Sequence, residues 1–186
     1  MSAVAPTPPH LPTVVAPSIP AVRAEPTQYL TFQLSGESFA IGILSIKEII
    51  EYHALTEVPM MPACVRGVIN LRGAVVPVLD LPARFGRPSS EVTKRTCIVI
   101  VEIEAGVERQ VIGVIVDAVN EVLDIDGTDI EPPPNFGANI RADFIQGMGK
   151  VKGKFVILLN VHQVLSINDL QQTANAAASK DALSLN

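Results

Sequence analysis

Residues 65–81 read VRGVINLRGAVVPVLDL, two apolar runs that meet at Arg72-Gly73. The runs are short, rich in Val, Ile and Leu, and bounded by glycine, which predicts two strands joined by a tight turn. Gly73 supplies the positive φ such a turn requires, and Arg72 beside it points outward. From Gln146 the chain reads QGMGKVKGKFVILLNV, which lies on residues 66–81 without a gap. Gly67 then matches Gly147, Gly73 matches Gly153, Arg72 matches Lys152, Val75 matches Phe155, and Asp80 matches Asn160. The offset is constant (147 − 67 = 80 and 153 − 73 = 80). Kept glycines with kept apolar alternation indicate an internal duplication, with Gly67, Gly73, Gly147 and Gly153 expected at its turns.

Upstream of each copy the order of patterns is also the same. Leu30, Phe32 and Leu34 alternate with polar residues, Ser35-Gly36-Glu37 makes a turn, and Phe39, Ile41 and Ile43 continue the apolar face. In LSIKEIIEY, Ile46, Ile49 and Ile50 take helical spacing, and Ser45 with Glu48 fits a capping box, so a short helix is expected. The second half runs CIVIVEIE, a turn near Ala105-Gly106, RQVIGVIV, and then DAVNEVL. Val119, Val122 and Leu123 again take helical spacing, behind Asp117 as a candidate N-cap. Ile41-Gly42-Ile43 matches Ile112-Gly113-Val114, and Ile46-Lys47-Glu48-Ile49 matches Val119-Asn120-Glu121-Val122. Two sets of short strands with Gly and Pro turns predict small barrels, which leave no open sheet edge. Pro77 lies inside a strand pattern, which places that strand at an edge or a bulge. Near the end, Asn160 and Gln163 form a cap pair before VHQVLS.

The termini differ in composition. Residues 1–27 hold seven of the fifteen prolines and two charges, Arg23 and Glu25, so a disordered Pro/Ala-rich leader is expected there. Residues 169–186 are polar and alanine-rich, which predicts a fraying helix or tail. The chain has no basic, apolar signal segment at its start and no run of membrane-spanning length.

Composition excludes more than it identifies. At 48% apolar with no tryptophan, the core of this 186-residue chain is built from Val, Ile and Leu. The net charge of −5 gives no footprint for nucleic acid or an anionic membrane. Cys64 and Cys97 lie outside any CxxC pattern and read as reduced core residues of a cytoplasmic protein. His10, His53 and His162 share no motif with a nucleophile. DIDGTDIE (124–131) has alternating acids, but its glycine is misplaced for a calcium loop, and GMGKVKG lacks the phosphate-loop pattern. No catalytic constellation, metal or cofactor is predicted. Arg72 and Glu48 remain. An exposed turn arginine suits a partner contact as well as it suits solvent, and the residues alone leave both readings open.

VRGVINLRGAVVPVLDLPARFG closely resembles the signature of the CheW family of chemotaxis coupling proteins. FAIGILSIKEI, VIGVIVDAVNEVL and GMGKVKGKFVILLNV resemble further segments of that family in the same order, so the likeness covers about residues 28–168. The resemblance implies a mostly β fold of two small five-stranded SH3-like antiparallel barrels with short helices. It implies a non-enzymatic adaptor without cofactor, joining the cytoplasmic tips of chemoreceptors to the regulatory domain of the CheA histidine kinase. Carried onto this chain, a groove between the barrels would be lined by Ile46, Glu48 and Ile49 on one side and Val119 and Val122 on the other, with Arg72 at its polar edge. An adaptor of a non-flagellar array, such as twitching motility, is the main rival, and a small β-barrel enzyme or ligand-binding protein a more distant one.

Overall fold

The structure, a computed structural model, describes residues 26–133 and 140–166. All but the last two residues of the expected leader, and the whole of the expected C-terminal helix or tail at 169–186, lie outside these described residues. The strands are β1 Thr27–Leu34, β2 Glu37–Gly42, β3 Ile46–Glu51, β4 Val65–Leu71, β5 Ala74–Asp80 and β6 Cys97–Ala105. They continue as β7 Glu108–Val116, β8 Ala118–Ile125, β9 Ile130–Glu131, β10 Ile145–Val151 and β11 Lys154–Leu159. One-turn helices α1 (Leu81–Arg84) and α2 (Val161–Val164) follow β5 and β11.

Two sheets form, in the orders β3-β6-β7-β5-β4 and β8-β1-β2-β11-β10-β9. Both curl closed. Just beyond the edge strand β3, Thr56 and Val68 exchange backbone hydrogen bonds of 3.0 and 2.8 Å, which ties that segment to β4 at the opposite edge. In the second sheet the end strands β8 and β9 are consecutive, joined by the 3-10 turn Gly127–Asp129. Counting β8 and β9 as one bent strand, each barrel has five strands. The pairing is not wholly antiparallel as expected. β5 runs parallel to β7 and β2 parallel to β11, because each barrel borrows a hairpin from the other half of the chain. Hairpin β1–β2 joins the second-half strands, and β6–β7 joins the first-half strands.

That exchange buries both faces of the borrowed strands. In β6, Ile98 and Ile100 fill the first barrel while Val99, Val101 and Ile103 pack between the barrels. The near-continuous apolar run CIVIVEI follows from it, since neither face of the strand meets water. Each fully buried Ile, Leu or Phe side chain contributes about 1.5–3 kcal/mol. The layer between barrels contains a row of rings, Phe32, Phe39, Phe85 and Phe144, with successive centroids 6.4, 5.9 and 6.1 Å apart. Arg84 and Arg141 place their guanidinium carbons 4.8 and 4.7 Å from the centre of the Phe144 ring. Cys64 is a buried free thiol at this layer, and desolvation holds its pKa above the ordinary value.

The duplication is realised in three dimensions. β4 and β10, and α1 and α2, start and end 80 residues apart (145 − 65 and 161 − 81). Asp80 caps α1 by accepting from the Ala83 amide at 3.1 Å, and Asn160 caps α2 by accepting from Gln163 at 3.4 Å. Their own amides donate to Cys64 and Phe144, each at 2.8 Å and again 80 residues apart.

Two expected helices are strands. Ile46–Glu51 is β3, preceded by the 3-10 turn Ile43–Ser45, and Ala118–Ile125 is β8. Each carries a bulge. Ile46 and Glu48 oppose the adjacent residues Val101 and Ile100, and Val119 and Val122 oppose Phe32 and Leu30. The extra residue turns a period of two into a spacing of three, which imitates a helix. No capping box forms at Ser45–Glu48. Asp117 caps no helix either; its carboxylate accepts from the Ser35 amide at 2.7 Å.

Gly67 and Gly147 are not at turns. They sit inside β4 and β10, at bulges, where another backbone passes close. A Cβ on Gly67 would lie 2.5 Å from the Thr56 carbonyl oxygen, and one on Gly147 would lie 2.6 Å from Ile130 Cγ2. Gly73 and Gly153 do hold turns, at φ 89° and 77°, and the residues before them, Arg72 and Lys152, share the left-handed conformation at 52° and 50°. Two successive positive φ values make the turn that matches strand twist. Pro77 occupies a central strand, not an edge. Val68 opposite it spends both backbone groups on Thr56, and the β5–β7 pairing starts only at Val78, so no donor is required of Pro77. The match of Ile41-Gly42-Ile43 to Ile112-Gly113-Val114 shifts by two. Ala40 pairs with Leu158 as Gly113 pairs with Val78, so Ala40 is the counterpart of Gly113.

Candidate functional site

Of the residues singled out in the sequence, Glu48 and Arg72 are in direct contact. The bulge at Lys47 sets Glu48 half-buried on β3, and the β4–β5 turn carries Arg72. Arg72 Nη1 lies 2.9 Å from Glu48 Oε1, and Nη2 donates to Oε2 at 3.0 Å. One hydrogen bond and one ion-pair contact thus set both terminal nitrogens of the guanidinium against both carboxylate oxygens, which fixes orientation as well as distance. The turn itself is pinned by Asn70, whose Oδ1 accepts from the Gly73 amide at 2.8 Å. Arg72 remains 78% exposed, so its remaining donors and its flat face are open to a second protein.

Ile46 and Val119 are counterparts in the two barrels. Ile46 opposes Val101 on β6 as Val119 opposes Phe32 on β1, and both pack on the layer between barrels. Three residues further along each strand, Ile49 and Val122 stand exposed. The offset is the same for both pairs (119 − 46 = 73 and 122 − 49 = 73). Each barrel therefore has an edge strand that anchors one β-branched side chain in the seam and offers another to solvent.

Among the exposed apolar residues not singled out in the sequence, Val75 and Phe155 hold equivalent places. They directly follow Ala74 and Lys154, the first residues of β5 and β11, and are 73% and 50% exposed. The signal was present: Val76 and Val156 face inward, so strand alternation turns their neighbours out. Elsewhere on the first barrel, Glu102 collects Lys47 at 2.7 Å and Arg109 at 3.3 Å. The Lys47 hydrogen bond is the chief cause of its lowered pKa.

Among the described residues no three His, Cys, Asp or Glu side chains gather as a metal site, and no helix is long and apolar enough to cross a membrane. His53 Nδ1 lies 3.2 Å from the carbonyl oxygen of Glu51, two residues away. What the surface combines is exposed β-branched side chains and a fixed, outward arginine, which suits recognition of another protein.

The model of the CheW-like domain matches residues 28–168. The chain is 34% identical over 137 residues to a chemotaxis protein CheW of Rhizobium meliloti, covering 74% of this chain and 86% of that protein. It is 28% identical to Protein FrzA of Myxococcus xanthus, over 85% of this chain and 94% of that one. Among solved structures, the scaffolding protein TtCheW from Thermoanaerobacter tengcongensis superposes with a TM-score of 0.68 at 35% identity, covering 77% of this chain and 90% of that one. Matched in sequence across its two-barrel region and in fold to a solved relative, the chain belongs to the CheW family.

Proposed function

We propose that the chain is a non-enzymatic cytoplasmic adaptor, recruited to membrane receptor arrays, that couples chemoreceptor tips to the regulatory domain of the CheA histidine kinase. The observation that carries this reading is the paired placement of Ile46 with Val119 and Ile49 with Val122 on the two edge strands, with the Arg72–Glu48 fork on the same strand system. A helical receptor tip lays apolar side chains at helical spacing against such a surface, and Arg72 gives it a polar register. The names of the relatives as chemotaxis proteins and as a scaffold support the adaptor reading.

Reconstitution tests it. Receptor tips displayed on vesicles should retain this chain, and CheA should sediment with them only when the chain is present. Retention of CheA without the chain, or failure of the chain to bind either partner, overturns the proposal. Similarity to Protein FrzA favours one second reading, an adaptor of a non-flagellar array. The same assay with receptors from each array of the organism separates the two.

A further inference from the structure

The duplication makes the two barrels comparable position by position, and at one place they differ in charge. In the first barrel, Glu48 on β3 closes onto Arg72 in the β4–β5 turn. Their counterparts in the second barrel are Glu121 on β8 (121 − 48 = 73) and Lys152 in the β10–β11 turn (152 − 72 = 80). These two form no ion pair. Instead both line an open cleft, with Leu123, Val151, Lys154, Phe155 and also Glu37, whose carboxylate is held by Arg87 at 2.6 Å.

The hairpin wall is basic without compensation. Lys150, Lys152 and Lys154 are all exposed, and none has a carboxylate within ion-pair distance among the described residues. Their counterparts in the first barrel are Asn70, Arg72 and Ala74, a single cation already held by Glu48. Lys150 pairs with Phe155 across the hairpin, so a cation and a half-exposed ring project from the same face. Three cations on one hairpin, Lys152 and Lys154 of them lining the cleft, give this edge a local field of the opposite sign to a chain of net charge −5.

We propose that this cleft is a second docking site, distinct from the Arg72 surface, for an acidic protein segment that places carboxylates on Lys152 and Lys154 and an apolar side chain against Phe155, Val151 and Leu123. Charge complementarity selects the acid, and the exposed ring and aliphatic wall demand the apolar residue. The lysines accelerate encounter, and the apolar contact supplies residence. Glu121, lining the same cleft, rejects an occupant whose charge is uniformly negative.

The test uses the full chain and a short fluorescent peptide alternating glutamate with leucine, beside two controls that alternate glutamate with serine and lysine with leucine. Glutamate–leucine peptide should bind and shift the backbone amide resonances of residues 121–123 and 150–156. The double variant Lys152→Asp, Lys154→Glu should weaken binding about tenfold or more, about 1.4 kcal/mol. Aspartate tolerates the left-handed turn at 152, so folding is retained, and thermal melting checks it. Arg72→Ala should leave this binding unchanged, which separates it from the function proposed above. Absence of those shifts, equal binding of the glutamate–serine peptide, or undiminished affinity of a folded double variant overturns the proposal.

Discussion

Arg72 and Glu48 hold each other through a hydrogen bond of 3.0 Å and an ion-pair contact of 2.9 Å that connect opposite edges of one five-stranded sheet. Glu48 lies on β3, the first strand of that order, and Arg72 follows β4, the last. The pair can form only because the sheet is curled into a barrel. Its energy is nevertheless small, because Arg72 is largely in water and an exposed pair contributes about 0.2–1 kcal/mol. Arg72→Ala and Glu48→Ala should each lower unfolding free energy by about 1 kcal/mol or less. A double-mutant cycle in chemical denaturation reads the coupling directly, and a value above about 2 kcal/mol would make the pair a structural lock.

The glycines of the repeat separate by mechanism. Gly67→Ala drives a Cβ to 2.5 Å from the backbone of Thr56, which cannot move without opening the barrel closure, and should cost about 2 kcal/mol or more. Gly73→Ala meets open space and carries only the conformational cost of φ 89°, about 1–2 kcal/mol. Gly147→Ala should be milder than Gly67→Ala, because its nearest obstacle is a side-chain methyl of Ile130. Denaturant midpoints rank the three.

The ring row between barrels should matter more than any surface pair. Phe144 is fully buried with Arg84 and Arg141 over its ring, and Phe144→Ala should cost about 3–5 kcal/mol. Phe155→Ala, half in water on the β10–β11 hairpin, should cost about 1 kcal/mol or less. Comparable losses for the two would contradict the assignment of the core.

Stability should fall at alkaline pH through Cys64. Burial raises its folded pKa above the ordinary thiol value, so the folded state holds the proton that the unfolded chain releases. The contribution is fully present below about pH 9 and is lost as pH rises beyond it. Melting temperatures from pH 7 to 10.5 for the wild type and Cys64→Ala should converge as pH rises. Parallel curves would show that the thiol does not report folding.

Local chemistry was legible in the sequence wherever one residue decides one feature. The turns at Ser35-Gly36, Arg72-Gly73 and Lys152-Gly153, the cap at Asn160, and the offset of 80 residues all depend on neighbours in the chain. What failed was non-local. A bulge in β3 and another in β8 changed the apolar spacing from two to three, and only the partner strand shows that the extra residue is Lys47 in one case. The exchange of hairpins, and with it the parallel pairs β2–β11 and β5–β7, is invisible to periodicity because both faces of the strands are apolar either way. Gly67 was recognised as special for the wrong reason: its close neighbour Thr56 lies across the barrel closure and belongs to no turn. The pairing of Ile46–Ile49 with Val119–Val122 was readable all the same, since the repeat preserves it through both bulges.

The most direct test of the adaptor account is the affinity of a receptor-tip helical hairpin for Ile49→Glu and Val122→Glu, measured beside their melting temperatures. Both side chains are exposed, so melting should move by no more than about 3 °C. Receptor affinity should fall about tenfold or more in each, about 1.4 kcal/mol, as a carboxylate replaces an exposed apolar side chain on the edge strand. Wild-type affinity in both variants would contradict the account, because the two edge strands would then face something other than the receptor.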